Sequence, residues 1–227
     1  MITAASNSRI KRLVQLNQKS KLRRTEDVFL AEGVKMFLEA PREQLQEVYV
    51  SESFLEKCSC REHLEEVGYE VVSDSVFSKI SDTCTPQGVL CVLKQFHYNI
   101  EEMLRDKAPL FLLLENIQDP GNLGTMLRTG EGAGVSGIIM SRDTVDLYNP
   151  KVIRSTMGSI YRVPFYYADD FAAAVHQVQR AGVSVYAAHL RGKNSYACQD
   201  YTKGTAFLIG NEGNGLREET AELADCY

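Results

Sequence analysis

The 227-residue sequence lacks any long hydrophobic segment. None of its apolar runs approaches the roughly 20 residues that a membrane-spanning helix requires. Its N-terminus is polar where a signal peptide would be hydrophobic. Internal repeats and low-complexity segments are also missing. With 44% hydrophobic and 24% charged residues, the sequence has the composition of a soluble globular protein with one large domain or two modest ones, and we expect no membrane partner.

The sequence also lacks the residue spacings that hold metals. Its six cysteines include no C-x-x-C pair, and a zinc site built on Cys58 and Cys60 would have no second half. The four histidines show neither metal-ligand nor catalytic-triad spacing. We therefore expect no metal and a reducing, cytoplasmic environment.

Acidic residues are missing from one part of an otherwise acidic chain. The net charge is −5, yet Met1 to Arg24 contains seven basic residues and no Asp or Glu. Such a cluster is typical of a surface that binds nucleic-acid phosphates, and it is equally typical of a solvated helix face followed by a basic loop. Both interpretations stay open; the arginines we select as candidate RNA contacts are Arg9, Arg12, Arg23 and Arg24.

Residues 1–95 alternate short helices and strands, which predicts a small α/β domain. Ser6 is placed to cap a first helix that has Ile10, Leu13 and Val14 on one face. The strand candidates are rich in Val and Tyr. They are "VFLAEG", "EVYVS", "YEVVS" and "GVLCVLK", and the further predicted helices are "VKMFLEA", "SESFLEKCSCREHLEEVG" and "SDSVFSKIS".

Residues 96–108 form a polar linker, and residues 109–227 predict a second α/β domain. The strand "LFLLLEN" is apolar throughout, as in a central strand that is buried on both faces. Helices are predicted over Asn122–Gly134, from Asn149 and from Asp169. They alternate with the strands "GIIM", "RVPFYY", "VSVYAAHL" and "TAFLIG". This alternation predicts a mostly parallel sheet with helices on both sides.

Two glycine-rich turns follow apolar strands of the second domain. The first, "DPGNLGTML", lacks the Lys of a phosphate-binding P-loop and the G-x-G-x-x-G of a dinucleotide site. The helix that follows it carries Thr125, Arg128, Thr129 and Gly132 on one face. Arg128 either reaches a surface carboxylate or faces a phosphate or ribose. The second turn lies in "AFLIGNEGNGL", and the ends of two parallel strands can bring such turns together across a crevice.

The segments "NIQDPGNLGTMLRTGEGAGV", "PKVIRSTMGSIYRVP" and "FLIGNEGNGL" closely resemble motifs of the SpoU (TrmH-like) RNA ribose 2'-O-methyltransferases. In the front domain, "FLAEGVKMFLEA" and "TPQGVLCVL" resemble the substrate-binding domain that often precedes the catalytic domain in that family. The resemblance covers nearly the whole chain. It implies that residues 1–95 bind substrate RNA and that residues 109–227 catalyse methyl transfer.

The resemblance also implies a fold, a cofactor and partners. The catalytic domain would be an α/β knot of the SPOUT class, with a trefoil knot, and the front domain would be L7Ae/L30e-like. The cofactor would be S-adenosyl-L-methionine and the assembly a homodimer. The substrate would be RNA, with ribosomal RNA favoured over transfer RNA. The alternatives are a transfer-RNA ribose methyltransferase, a catalytically inactive RNA-binding protein that keeps the fold, and an adaptor whose crevice holds another nucleotide.

Site residues follow from the same resemblance, position by position. Asn122, Arg128 and Glu212 match the catalytic positions of the two motifs. Ser155 and Thr156 match the segment that flanks the substrate. The candidates for contact with the cofactor are Gly210, Leu208, Ile209, Asn211, Gly213, Ala188 and His189. A third family motif, rich in Ser and Asn, would follow "ETAELADCY" and in the family completes the knot and the cofactor pocket; either it lies beyond Tyr227, which we favour, or the protein lacks it.

Chemistry narrows the role of each catalytic candidate. Arg128 cannot be a literal base, since a guanidinium stays protonated in proteins. We expect it to stabilise the developing alkoxide and to bind the neighbouring phosphate, while a phosphate oxygen or water takes the proton. Glu212 is expected to anchor the second turn or to orient Arg128, and Asn122 to hold the loop and contact the ribose.

Overall fold

The computed structural model describes residues 1–193 and 195–227. They divide into two compact units. The first unit comprises residues 1–96 and 146–161, and the second comprises residues 97–145 and 162–227. Residues 146–161, which the sequence analysis assigns to the catalytic domain, thus pack with the first unit. None of the helices in the described part of the chain is both long and apolar enough to cross a membrane.

The first unit is built on a four-stranded mixed sheet in the order β1-β4-β2-β3. Strands β1 and β2 are antiparallel to β4, and β3 is parallel to β2. The strands are β1 (Val28–Glu32), β2 (Leu45–Ser51), β3 (Glu70–Val72) and β4 (Val89–Lys94). The helices are α1 (Ser8–Gln18), α2 (Ser20–Glu26), α3 (Val34–Leu38), α4 (Glu52–Lys57), α5 (Arg61–Val67), α6 (Asp74–Ile80) and α9 (Pro150–Thr156).

Two helix predictions in this unit need correction. Helix α1 is capped by Asn7, whose side chain accepts a hydrogen bond from the Arg9 N–H, and not by Ser6. The single helix predicted over residues 51–68 is two helices, α4 and α5, because Cys58 has an extended backbone that interrupts the helical hydrogen bonds. The buried face of α1, with Ile10 and Leu13 at its centre, packs into the core as predicted.

The second unit contains a five-stranded parallel sheet in the order β7-β6-β5-β9-β8. The predicted mostly parallel sheet is confirmed. Its strands are β5 (Leu110–Leu114), β6 (Gly137–Ser141), β7 (Phe165–Ala168), β8 (Ser184–Ala187) and β9 (Thr205–Ile209). Its helices are α7 (Ile100–Met103), α8 (Pro120–Ala133), α10 (Phe171–Arg180) and α11 (Glu218–Ala221).

Helix ends in the second unit follow local side-chain capping. Asp119 caps α8, and Gly134 ends it in the left-handed region at φ 73°. Asp170, not the predicted Asp169, caps α10. The polar linker predicted over residues 96–108 contains α7, whose Ile100 and Met103 are buried in the core of this unit. The linker is therefore an ordered part of the second unit, because its two apolar side chains are removed from water there.

Candidate active site

Two turns leave the same edge of the parallel sheet in the second unit. The first turn, residues 115–119, follows β5, and the second turn, residues 210–216, follows β9. Leu114 at the end of β5 is the register partner of Ile209 at the end of β9. Because the two strands are neighbours and parallel, both turns start at the same level, as a crevice at the carboxyl ends of strands requires.

Glu212 of the second turn holds the first turn in place. Its Oε1 accepts hydrogen bonds from the Asp119 N–H at 3.0 Å and from Asn122 Nδ2 at 3.2 Å. Its Oε2 accepts one from the Gln118 N–H at 3.1 Å. Among the described residues, Arg128 is not a partner of this carboxylate. The contacts of Glu212 support the anchoring role, and the alternative in which Glu212 orients Arg128 stays a prediction.

The pKa of Glu212 lies below its ordinary value. Partial desolvation would raise this pKa, but the hydrogen bonds from the backbone N–H groups of Gln118 and Asp119 and from the Asn122 side chain lower it by more. A carboxylate stabilised in this way stays ionised at neutral pH and is a weak proton acceptor. Its electrostatics therefore favour a fixed anchor over a general base.

Asn211 and Gly210 shape the second turn. The Asn211 Oδ1 accepts hydrogen bonds from the N–H groups of Gly213 and Asn214, both at 3.0 Å, while its Nδ2 donates to the Asn116 carbonyl at 2.8 Å. A Cβ on Gly210 would lie 2.3 Å from backbone atoms of Gly215. The turn therefore closes on itself only with glycine at position 210.

Glu115 is a site residue that the sequence analysis missed. Its side chain is 1% exposed. Its Oε2 accepts a hydrogen bond from the Arg217 N–H at 2.8 Å, and its Oε1 accepts one from Thr220 Oγ1 at 2.5 Å. Glu212 and Glu115 thus form reciprocal anchors, each carboxylate holding the segment that follows the other strand. One signal was available: Glu115 is an acidic residue placed directly after the fully apolar run of β5.

Arg217 and Asp143 extend this network to the loop after β6. Arg217 Nη2 donates to Asp143 Oδ2, and Ser141 Oγ donates to Asp143 Oδ1 at 2.5 Å. Desolvation would raise the pKa of Asp143, and these two bonds hold it below its ordinary value. The hydrogen bond to Asp143 in turn raises the pKa of Arg217. The loops after three neighbouring strands are therefore tied together by ionised groups.

Arg128 lies on the exposed face of α8 with Thr125, Thr129 and Gly132. In the described part of the chain its guanidinium has one bond, from Nη2 to Thr125 Oγ1 at 3.4 Å. The carboxylate partner that the alternative interpretation requires is not among the described residues. Arg128 therefore presents a cation to solvent on the exposed face of α8, available to an anionic ligand.

The residues predicted to contact a cofactor lie at the ends of β8 and β9. The register places Ala187 beside Leu208, and the Ala188 N–H donates to the Leu208 carbonyl at 3.0 Å. Ile209 precedes Gly210, so the structure brings these predicted residues to one edge. An apolar cavity of about 170 Å³ opens next to Ala188 and is lined in part by Tyr186, Phe207 and Tyr227.

His189 and Gly213 complete the predicted cofactor set. The His189 Nδ1 accepts a hydrogen bond from the Arg191 N–H at 3.2 Å, and its ring lies 5.2 Å from that of Tyr227. Gly213 is exposed within the second turn. Both residues belong to the same strand-end region as Ala188 and Gly210, and their contact with a cofactor stays a prediction.

The arginines predicted to bind RNA differ in environment. Arg9 forms an ion pair with Glu70 at 2.8 Å, and Arg12 lies between Glu26 at 2.7 Å and Glu47 at 2.8 Å. Carboxylates therefore neutralise part of the basic segment, so an RNA phosphate has to compete with them.

Arg23 is buried, whereas its neighbour Arg24 is exposed to solvent. Arg23 is 3% exposed; its Nη1 donates to the Leu16 carbonyl at 2.7 Å and its Nη2 pairs with Asp146 at 2.6 Å. This burial gives Arg23 a structural role, whereas Arg24 is exposed at the end of α2.

Ser155 and Thr156 end helix α9 in the first unit. The Ser155 hydroxyl donates to the Val152 carbonyl at 2.8 Å, and the Thr156 hydroxyl donates to the Ile153 carbonyl at 2.7 Å. Thr156 is fully buried and Ser155 is half-buried. The burial of Thr156 removes its side chain from the surface, and contact of Ser155 with a substrate stays a prediction.

Two family models match the chain. The SpoU rRNA Methylase family matches residues 109–227, and the MRM3-like substrate binding domain matches residues 7–91. Together they cover the second sheet with its two turns and most of the first unit.

Similar proteins are known across the full length. The chain is 31% identical over 227 residues to the 23S rRNA (guanosine(2553)-2'-O)-methyltransferase RlmP of Bacillus subtilis, covering 99% of this chain and 87% of that protein. A crystal structure of an AdoMet-bound rRNA methyltransferase from Sinorhizobium meliloti has a TM-score of 0.83 at 30% identity, over 99% of this chain and 86% of that one. AviRb from Streptomyces viridochromogenes, solved with AdoMet, shares the fold with a TM-score of 0.86 at 23% identity, over 97% of this chain and 87% of that one. The chain belongs to the SpoU rRNA methylase family.

Proposed function

We propose that the protein transfers a methyl group from S-adenosyl-L-methionine to the 2'-hydroxyl of a ribose in ribosomal RNA. Besides membership of the family, one observation supports this proposal. Arg128 is exposed and has no carboxylate partner among the described residues. It lies on α8, the helix that follows the turn held by Glu212. A cation in this position can bind a phosphate and stabilise negative charge on a neighbouring oxygen.

The chain's residues fit an adenosyl cofactor in two respects. Leu208, Ile209 and Gly210 lead from β9 into the second turn, and Gly210 lets that turn fold back tightly. The cavity next to Ala188 has apolar walls that suit a flat heteroaromatic ring. We propose that these residues, with Asn211, Gly213 and His189, hold the cofactor, which when bound supplies an electrophilic methyl group on a sulfonium.

Arg128 and its neighbours would prepare the ribose hydroxyl for attack. Arg128 binds the phosphate next to the target ribose and stabilises the alkoxide that develops on the 2'-oxygen. Because the guanidinium cannot accept a proton, the hydroxyl proton leaves to a phosphate oxygen or to water. Asn122 contacts the ribose from the start of α8, while Glu212 keeps the loop rigid enough for in-line geometry.

The assembly and location are part of the same proposal. We propose a homodimer whose catalytic domain carries the family's trefoil knot, acting in the cytoplasm on RNA held by the first unit. Family membership supports the knot and the dimer, and the substrate-binding family model over residues 7–91 supports RNA binding by the first unit.

Replacing Arg128 tests the proposed chemistry. Arg128→Ala should lower methyl transfer to an unmodified 23S rRNA transcript by about 10²–10³-fold, since it removes the charge that stabilises the transition state. S-adenosyl-L-methionine affinity, measured by calorimetry, should stay unchanged. Transfer of tritiated methyl groups gives the rate, and a transfer-RNA transcript assayed in parallel tests the choice of substrate.

Thr129→Ala is the matched control, because Thr129 is exposed on the same helix next to Arg128. It should keep its activity within about twofold of the parent. Equal rates for Arg128→Ala and the parent would remove Arg128 from the mechanism. If the parent did not bind S-adenosyl-L-methionine at all, the enzyme proposal would be wrong and the alternative of a catalytically inactive RNA-binding protein would take its place.

A further inference from the structure

A cavity in the first unit has a lining that the catalytic residues do not explain. Its volume is about 280 Å³, near the lower end of the roughly 300–1,000 Å³ that small-ligand sites occupy. Three segments far apart in the sequence form its walls: residues 32–36 after β1, residues 83–87 before β4, and residues 154–157 at the end of α9. Each of the three stretches "FLAEGVKMFLEA", "TPQGVLCVL" and "PKVIRSTMGSIYRVP" therefore contributes residues to this cavity.

Glu32 lines this cavity and holds the loop beside it. Its Oε1 accepts hydrogen bonds from Ser81 Oγ at 2.7 Å and from Thr83 Oγ1 at 2.8 Å. Its Oε2 accepts one from the Asp82 N–H at 3.1 Å. The carboxylate of Glu32 is therefore engaged on both oxygens in holding the loop at residues 81–83.

Gln87 presents a donor to the cavity. Its Oε1 accepts the Val34 N–H at 2.8 Å, which assigns the other end of the amide, Nε2, to face away from that contact. Gly33 allows this approach: it has φ 112°, and a Cβ there would lie 3.0 Å from Gln87 Oε1. In the part of the chain that the structure describes, Gln87 Nε2 has no acceptor, so it is available to a ligand.

Two cations border the same cavity. Arg154 donates from Nη1 to Asp82 Oδ2 at 3.1 Å, and its side chain is 48% exposed. Lys35 is 3.6 Å from Glu39 and 54% exposed. Exposed ion pairs of this kind contribute little to stability, so a phosphate can replace the carboxylate partners of both cations.

Met157 provides an apolar surface in an unusual backbone conformation. It has φ 51°, in the left-handed region that residues other than glycine rarely adopt, and it is 46% exposed. Held there, Met157 lines the cavity together with Arg154. Thioethers make favourable contacts with aromatic rings, so this side chain suits a flat base.

We propose that this cavity binds one unpaired nucleotide of the RNA substrate. The phosphate contacts Lys35 and Arg154, the base lies against Met157, and Gln87 Nε2 donates a hydrogen bond to the base edge. A base stacked and paired in a duplex cannot enter, so the cavity selects single-stranded or flipped-out nucleotides. This inference rests on the proposed function, since it assumes an RNA substrate, and it assigns part of the recognition to the first unit.

The full chain tests this with a fluorescein-labelled RNA hairpin that has an unpaired adenosine loop, and with a blunt duplex of the same length. Met157→Gly and Met157→Asn both suit the left-handed backbone and should fold. Each should bind the hairpin about fivefold more weakly, because the thioether contact is lost, and the duplex as the parent does. Lys35→Gln should reduce the salt slope of hairpin binding by about 1.

Lys94→Gln is the matched control for charge. Lys94 pairs with Val28 at the opposite end of β1 from Glu32, so it lies away from the cavity. Hairpin affinity within twofold of the parent in both Met157 variants, or equal losses in Lys35→Gln and Lys94→Gln, would overturn the assignment while methyl transfer by the parent keeps the proposed function. A parent that binds neither RNA overturns the assignment of the cavity alone, because the proposed function is decided by methyl transfer to the 23S rRNA transcript.

Discussion

Arg23 and Arg24 are adjacent in the sequence and have different roles in the structure. Arg23 is buried and pairs with Asp146, a residue 123 positions away, whereas Arg24 is exposed. A basic cluster can be counted in the sequence, but the acids that neutralise its members come from distant segments. The phosphate-binding and solvated-face interpretations could therefore not be separated before the partners of each arginine were known.

At the same scale, Glu212 should make stability depend on pH. Its folded-state pKa lies below the ordinary value of about 4.3 for Glu. The ionised form is therefore stabilised by folding, and this contribution is complete above the ordinary pKa and is lost as the pH falls through the lower folded-state value. Glu212→Gln cannot titrate, so the stability gap between parent and variant should be largest at neutral pH and should narrow in acid.

Urea unfolding at pH 7 and at several values below about 4 measures that gap. The exposed Glu65→Gln, on α5 of the first unit, serves as the control and should show a small gap throughout. A gap for Glu212→Gln that is the same at every pH would show that the carboxylate charge is not what anchors the first turn.

At the scale of elements, the sequence predicted most strands and helices but not all of their ends. Apolar runs bounded by glycines predicted β5, β6 and β9, and the Asn149–Pro150 pair predicted the start of α9. The break at Cys58 was missed, because nothing in its local pattern opposes a helix. Glu115 was missed for a different reason: its role depends on Arg217 and Thr220, which lie about a hundred residues later.

The second turn should tolerate a methyl group at one glycine and not at another. In Gly210→Ala, the new Cβ would lie 2.3 Å from backbone atoms of Gly215, so the turn has to open. We expect S-adenosyl-L-methionine affinity to fall by at least about tenfold and stability to fall by about 1–3 kcal/mol. Calorimetric titration and urea unfolding measure the two effects.

Gly213→Ala is the control in the same turn. Its Cβ would be 3.7 Å from Asn211 Oδ1, an ordinary contact, and its φ is not positive. Stability should change by less than about 0.5 kcal/mol. If Gly210→Ala were as stable as Gly213→Ala and bound the cofactor as tightly as the parent, the turn would not need its tight closure.

At the scale of the whole molecule, the chain completes its first unit with a later segment. Residues 146–161 supply α9 as well as Tyr148 and Tyr161 to that unit. The Tyr148 ring lies 4.9 Å from that of Phe29, and the Tyr161 hydroxyl donates to the Met36 carbonyl at 3.0 Å. The pattern of apolar residues does not reveal that residues 146–161 pack with the first unit, because that pattern reports only the local helix or strand.

A fragment of residues 1–96 should therefore be less stable than one that also carries residues 146–161 on a flexible Gly/Ser linker. Removing the segment leaves Arg23 buried without Asp146 and exposes Phe29, which should cost about 3–5 kcal/mol. Urea unfolding followed by circular dichroism compares the fragments. A linked fragment with a scrambled 146–161 segment controls for the added length, and it should match residues 1–96 alone.

The reciprocal anchors Glu115 and Glu212 have a consequence for the order in which the protein is made. The hydrogen bonds that shape the two turns join residues 90 to 105 positions apart. A ribosome must therefore synthesise the chain past Thr220 before the first turn has its partners, although β5 and α8 emerge long before. Closing a contact of that range is slow and comes late in folding. The nascent chain can thus form helices and bury apolar surface early, while its catalytic geometry waits for one of the last strands.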